Sequence, residues 1–147
     1  MFKHLLVPVD GSATSDQAIT QALAIAQAFA SSVSLIYVVD PYAFAAGGVG
    51  GDFFYGQTEY LDAATTQGGE AIAAAKQIFD AHGINAVGSV VEGQPIYRAI
   101  LDTAESVNAD LVVMGSHGRR GLEKLVLGSV TAQVLAHAHL SVLVVRE

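Results

Sequence analysis

Residues 110–130 read DLVVMGSHGRRGLEKLVLGSV, and this stretch decides the fold. Its apolar run at residues 111–114 is typical of a strand that is covered on both faces. Gly115 and Gly118 follow the strand at once, and Gly128 and Ser129 then open a helical pattern. A buried strand that passes through a glycine-containing loop into a helix indicates a layered α/β domain.

The rest of the chain repeats this alternation of strand and helix. Strands that are joined through helices are normally parallel, with right-handed crossovers. The predicted fold class is therefore α/β, a Rossmann-like three-layer sandwich with a five-stranded parallel sheet. Ligands of such folds bind beyond the carboxyl ends of the strands, near the switch in strand order. The predicted strands cover residues 4–9, 33–39, 85–91, 110–114 and 140–145.

Four helices are predicted between these strands. The first has Ser12 or Thr14 as its N-cap and buries an apolar stripe that ends at Phe29. The second is predicted over residues 59–82, after an irregular segment over residues 40–57. Within that segment, the Gly-rich aromatic stretch from Tyr42 to Tyr55 fits a flap over a ligand, a partner surface or a disordered loop.

Length and composition restrict the class of protein further. The 147 residues suit a single domain, which we expect to span residues 1–147. The chain has no Cys, which excludes disulfides and thiolate metal ligands. A net charge of −7 argues against a nucleic-acid partner. The N-terminus does not resemble a signal peptide, and the uncharged residues 17–39 divide into a helix and a strand. We expect a cytoplasmic protein that does not insert into membranes.

The loop after residue 114 combines features of an anion site. The first turn of a helix offers unpaired N–H groups and the positive end of a dipole. The hydroxyl of Ser129 adds a donor there. Arg119, Arg120 and Lys124 are three of only seven Lys and Arg residues, and they lie within six residues of the same loop. A classical P-loop is absent, and so is a Gly-x-Gly-x-x-Gly after the first strand, which argues against nicotinamide dinucleotides.

The glycine spacing carries a family resemblance. Gly115, Gly118, Gly128 and Ser129 stand as Gly-x2-Gly-x9-Gly-Ser, which resembles the ATP-binding signature of the universal stress protein family, its UspA-like members. The likeness covers the whole chain, because residues 6–12 (LVPVDGS), 37–40 (YVVD), 93–95 (GQP) and 142–145 (VLVV) also resemble family segments. The resemblance implies an adenine nucleotide alpha hydrolase-like sheet with strand order 3-2-1-4-5.

The resemblance also implies the site residues. By position, Pro8, Asp10 and Val38 would line the adenine and ribose pocket, with Met114 and Gly115 close to the base and ribose. The ribose and phosphates would then be held mainly by the backbone N–H groups of Gly118, Gly128, Ser129 and Val130. Contacts of Arg119 and Arg120 with phosphate are our own inference from their charge.

The expected function is that of a nucleotide-dependent regulatory module in the stress response. The implied ligand is ATP, or AMP or ADP, with Mg²⁺ held through the phosphates. Two alternatives stay open: a slow Mg²⁺-dependent ATPase, and a nucleotide-free dimeric interaction protein. We identify no catalytic residues and no metal ligands. The last strand, from Leu140 to Val145, is apolar and is expected at a sheet edge, where the family commonly forms homodimers.

Overall fold

A computed structural model of the chain describes residues 1–42, 53–118 and 127–147. Strands and helices alternate along these residues. Their bounds are β1 His4–Pro8, α1 Ala13–Phe29, β2 Ser32–Val39, α2 Phe53–Ala81, β3 Ala86–Glu92, α3 Ile96–Ser106, β4 Leu111–Gly115, α4 Ser129–His137 and β5 Ser141–Val145.

The five strands form one sheet in the order β3-β2-β1-β4-β5, and every pairing is parallel. This confirms the predicted fold class and strand order. Side chains alternate across the sheet, so Leu5 and Val7 pack with the buried residues of α1 and α2. Leu6 faces the other way, into a cluster with Ile100 of α3 and Val134 of α4. The sheet is therefore covered by two helices on each face.

Helix α1 begins at the predicted serine cap. The Ser12 Oγ accepts a hydrogen bond from the Ser15 N–H at 3.2 Å, so Ser12 is the N-cap and Thr14 lies inside the helix. Ala18, Ala22 and Ala26 form the buried stripe. The stripe ends earlier than predicted, because Phe29 is 44% exposed and packs edge-on against Phe2 near the surface.

Helix α2 is longer at its start than the sequence indicated. It begins at Phe53, whereas the prediction placed residues 40–57 in irregular structure and began the helix at Glu59. Extending an existing helix adds one hydrogen bond per residue, which offsets the roughly 1 kcal/mol that Gly56 costs relative to alanine. The rest of the proposed flap, residues 43–52, lies outside the described residues.

The switch in strand order falls between β1 and β4. Strand β1 ends at Pro8, and the chain then turns at Gly11, which has a φ of 80° that only glycine adopts without strain. Strand β2 continues to Val39, beyond the end of β1. The early turn of β1 leaves an opening at the carboxyl edge of the sheet.

Candidate functional site

A cavity of about 600 Å³ lies at this carboxyl edge. Its volume is in the range of about 300–1,000 Å³ that is typical of ligand pockets. The walls come from the ends of β1, β2 and β4 and from the N-terminal parts of α1, α3 and α4, with Tyr60 and Ala64 of α2 on one side. It therefore occupies the place where doubly wound sheets bind their ligands.

Nine of the eleven predicted site residues line this one cavity. They are Pro8, Asp10, Val38, Met114, Gly115, Gly118, Gly128, Ser129 and Val130. The other two, Arg119 and Arg120, lie outside the described residues. The structure thus brings together residues that are up to 122 positions apart in the chain.

Val38 offers the cavity a backbone donor and a backbone acceptor. On one side of it, the Val9 N–H donates to the Ile36 carbonyl at 2.8 Å, so Ile36 faces β1. The Gly93 N–H donates to the Val39 carbonyl at 3.0 Å, so Val39 faces β3. Successive residues of a strand direct their backbone groups to alternate sides. The N–H and C=O of Val38 therefore point to the side of β1, where β1 has already turned away.

Asp10 is fixed by the turn that follows β1. Its Oδ1 accepts a hydrogen bond from the Ser12 N–H at 2.8 Å, and its own N–H donates to the Ser15 Oγ at 3.2 Å. Its Oδ2 lies close to the backbone of Gly118, because a Cβ built on Gly118 would stand 2.7 Å from that oxygen. The carboxylate thus has a turn-stabilising role and also borders the glycine-containing loop after β4.

The glycines of the loop face different neighbours. A Cβ on Gly115 would lie 2.5 Å from the Thr14 Oγ1 of α1, and a Cβ on Gly128 would lie 3.1 Å from the Cα of His117. A side chain at Gly115 would force a shift within the protein, and one at Gly128 would make a tight contact there. Gly118 differs, because its neighbour is the Asp10 side chain in the cavity wall.

Backbone groups at the start of α4 divide between the protein and the cavity. The Gly128 N–H donates to the Ser116 carbonyl at 2.8 Å, so this amide is engaged inside the protein. The next N–H groups, of Ser129, Val130 and Thr131, belong to the first helical turn, where an α-helix leaves amides without intrahelical partners. These three residues line the cavity, so the first turn of α4 is the part of the wall that could accept an anion.

His117 also lines the cavity, with its Nδ1 3.4 Å from the Ser116 Oγ. A hydrogen bond fixes its backbone, since the Thr14 Oγ1 donates to the His117 carbonyl. Within the described ranges, His, Asp and Glu side chains form no group of three that could hold a metal ion. The chemistry that this arrangement supports is binding of a ligand with an anionic end.

Sequence reasoning missed one wall of the cavity. Ile96 and Ile100 carry an apolar i, i+4 signal that could have placed them beside Met114. Tyr60 and Ala64 fall inside the predicted helix, but no local pattern marked them as facing the cavity. Tyr60 Oη contacts the Asp40 carbonyl at 3.4 Å, and the Gln57 Nε2 donates to the Pro41 carbonyl at 3.2 Å. These contacts hold the turn after β2 against α2.

Fold and site together define a doubly wound α/β protein with a ligand cavity at its topological switch point. The universal stress protein family model matches residues 1–146, and the chain belongs to that family. The chain is similar to universal stress protein MJ0531 of Methanocaldococcus jannaschii, with 36% identity over 100% of this chain and 84% of that protein. It also resembles the solved structure of the universal stress protein UspA from Lactobacillus plantarum. That structure has a TM-score of 0.86 and 29% identity, over 98% of this chain and 97% of the other.

Two further structures of similar fold hold nucleotides. One is a universal stress protein in complex with cAMP, with a TM-score of 0.67, 25% identity and coverage of 99% and 97%. The other, from Archaeoglobus fulgidus, is in complex with dAMP. It has a TM-score of 0.67, over 99% of this chain and 98% of the other. At 18% identity, this similarity shows a shared fold alone. In the described part of the present chain, no helix has the length and apolar character needed to cross a membrane.

Proposed function

We propose that this protein binds an adenine nucleotide, with ATP as the main ligand, and acts as a nucleotide-dependent regulatory module of the stress response. The observation that carries the proposal is one cavity that unites Asp10, the backbone of Val38 and the first turn of α4. The complex of a related protein with cAMP supports the adenine class of ligand.

Each part of the cavity matches one part of such a ligand. The C=O and N–H of Val38 complement the amino group and the neighbouring ring nitrogen of adenine, which are a donor and an acceptor. Guanine carries an acceptor and then a donor at the corresponding positions, so it would have to bind in a reversed orientation. Asp10 is a suitable acceptor for a ribose hydroxyl, and the α4 amides suit a phosphate. Mg²⁺, when present, is proposed to bind through the phosphates, and Arg119 and Arg120 are proposed to contribute charge.

The rest of the proposal concerns the protein as a whole. We propose that residues 1–147 act as one domain in the cytoplasm and that the chain forms a homodimer through β5. A ligand shifts a regulatory equilibrium only if it binds the two states with different affinity. A bound nucleotide must therefore alter the surface that a binding partner recognises.

The test is calorimetric titration of the protein with adenosine, AMP, ATP and GTP, in parallel with Gly118→Val. The φ of Gly118 is outside the left-handed region and so does not itself exclude valine, but the side chain would fill the space beside Asp10. We expect the wild-type protein to bind ATP in preference to GTP and the variant to bind no detectable ATP while remaining folded.

Gly69→Val is the matched control. Gly69 lies within α2, and a Cβ there has no neighbour within 4 Å. This variant should bind ATP like the wild type. Unaltered affinity of Gly118→Val, or equal affinity for ATP and GTP, would contradict the proposed site.

A further inference from the structure

Three consecutive carbonyl groups of the loop after β4 are each held by a donor from elsewhere in the chain. The Thr131 Oγ1 donates to the Gly115 carbonyl at 2.9 Å, and the Gly128 N–H donates to the Ser116 carbonyl at 2.8 Å. The Thr14 Oγ1 donates to the His117 carbonyl. The first two donors come from the start of α4, whereas Thr14 belongs to α1.

The bond from Thr14 fixes the orientation of one particular peptide group. A trans peptide is planar, with its C=O and its N–H pointing in opposite directions. Holding the His117 carbonyl toward Thr14 therefore directs the N–H of Gly118 the other way. Thr14 is 1% exposed and lies outside the cavity lining, whereas His117 and Gly118 are both part of it. The N–H is thus directed away from Thr14, and the residue that carries it lines the cavity.

This peptide is also one that can invert, because it precedes a glycine. A flip of the peptide between residues 117 and 118 rotates φ of residue 118, and glycine accepts the positive φ that results. A flipped peptide would present its carbonyl oxygen, instead of its N–H, to an anion. Some feature of the protein must favour the N–H orientation, and the hydroxyl of Thr14 is placed to do so. The Ser12 Oγ, 3.4 Å away, helps to hold that hydroxyl.

We infer that Thr14 is a positioning residue for the proposed nucleotide site, because its buried hydroxyl keeps the 117–118 peptide in the orientation that offers an N–H to phosphate. The inference rests on the proposed function for the identity of the anion. The orientation of the peptide itself does not depend on a ligand. The Thr14 side chain, which does not line the cavity, thereby has a role in ligand binding.

The test compares Thr14→Val, which keeps the shape of the side chain and removes the donor, with Thr14→Ser, which keeps the hydroxyl. Thr20→Val is the control, because the Thr20 Oγ1 makes an exposed bond to the Asp16 carbonyl in the same helix. We expect Thr14→Val to bind AMP and ATP about ten-fold more weakly, from the loss of one oriented bond, and adenosine within about two-fold. Thr14→Ser and Thr20→Val should bind all three ligands like the wild type.

Crystal structures of the nucleotide-free wild type and Thr14→Val test the orientation directly. The inference expects an inverted or doubly populated 117–118 peptide in the variant. An unchanged peptide, or an equal loss of affinity for adenosine and ATP, would overturn it. If Thr14→Val does not fold, Thr14→Ala replaces it. Failure of the wild type to bind any adenine nucleotide would count against the proposed function, whereas the peptide orientation would still decide the role of Thr14.

Discussion

At the scale of single residues, the glycines of the loop have separable roles. Gly115 allows β4 to approach α1, because a side chain there would meet Thr14. Gly118 instead borders Asp10 in the cavity wall. A glycine signature that looks uniform in sequence therefore combines a packing requirement with a requirement for space in the cavity wall.

Gly115→Ala is expected to destabilise the fold. The new Cβ would stand 2.5 Å from the Thr14 Oγ1 and 3.0 Å from the Thr14 backbone carbon, so the helix must shift. Overpacking of this kind costs roughly 1–3 kcal/mol. Urea denaturation of the wild type and the variant measures the loss.

Gly69→Ala is the matched control for that measurement. Its Cβ has no neighbour within 4 Å, so alanine should stabilise α2 by about 0.5–1 kcal/mol through its higher helix propensity. Equal free energies of unfolding for Gly115→Ala and the wild type would show that the contact with α1 is not tight.

The sequence could predict the residues of the loop but not what holds them. Gly115, Gly118, Gly128 and Ser129 are visible as a local spacing, and the structure places all four in the cavity wall. The bond from Thr14 to His117 joins residues that are 103 positions apart. No local pattern marks such a contact, because it exists only once α1 has packed against β4.

At the scale of elements, the amino end of the sheet is stabilised separately from the cavity. The Lys3 and His4 N–H groups donate to the Asp110 carboxylate at 2.9 and 3.1 Å. Burial acts to raise the pKa of Asp110, but these bonds outweigh it and hold the pKa below its usual value of 3.8. Asp110 thereby links the start of β1 to the start of β4, at the edge of the sheet opposite to the cavity.

Asp110→Asn tests this link through its pH dependence. Because the folded-state pKa is lowered, the stabilisation is complete above about pH 4 and is lost as the pH falls through the folded-state pKa. The variant should have a lower Tm than the wild type at pH 7, and the difference should shrink as the pH falls toward 3. For a chain of this size, each kcal/mol lowers Tm by about 2–4 °C.

Thermal unfolding of both proteins across this pH range provides the measurement. ATP affinity of Asp110→Asn at pH 7 should match that of the wild type, since the residue is remote from the cavity. A difference in Tm that stays constant with pH would mean that the charge of Asp110 is not involved.

Helix α2 shows where prediction of elements failed. Gly56 and its aromatic neighbours resemble a loop when propensity alone is considered, yet the helix begins at Phe53. Extension of an existing helix favours the earlier start, and Gln57, in the added part, also donates to the Pro41 carbonyl. Both are tertiary or cooperative effects that a local pattern does not record.

At the scale of the whole molecule, the parallel sheet was predictable because strands joined through helices are normally parallel, with right-handed crossovers. The strand order was implied by the family resemblance. The sheet leaves β3 and β5 at its edges. In β5, Val142, Leu143 and Val144 are only partly buried in the monomer. An apolar edge of this kind invites pairing with a second chain, which is the basis of the predicted homodimer.

Val144→Lys should shift the protein toward the monomer, because a charge would have to be buried if β5 pairs with its symmetry mate. Sedimentation velocity distinguishes a 15.2 kDa monomer from a particle of twice that mass. Val87→Lys is the control, since Val87 lies on β3, the opposite edge strand, and is 63% exposed. Dimers that persist in Val144→Lys but dissociate in Val87→Lys would show that the interface lies at β3 and not at β5.

Nucleotide binding as proposed requires one physical arrangement, in which the N–H groups at the start of α4 and the Asp10 and Val38 groups surround a single bound nucleotide. Native mass spectrometry of freshly purified protein tests it most directly, because it reports ligand mass and subunit count together. We predict one adenine nucleotide per subunit in the wild type and none in Gly118→Val. A wild-type protein that carries no nucleotide, and gains none when ATP is added, would contradict the account.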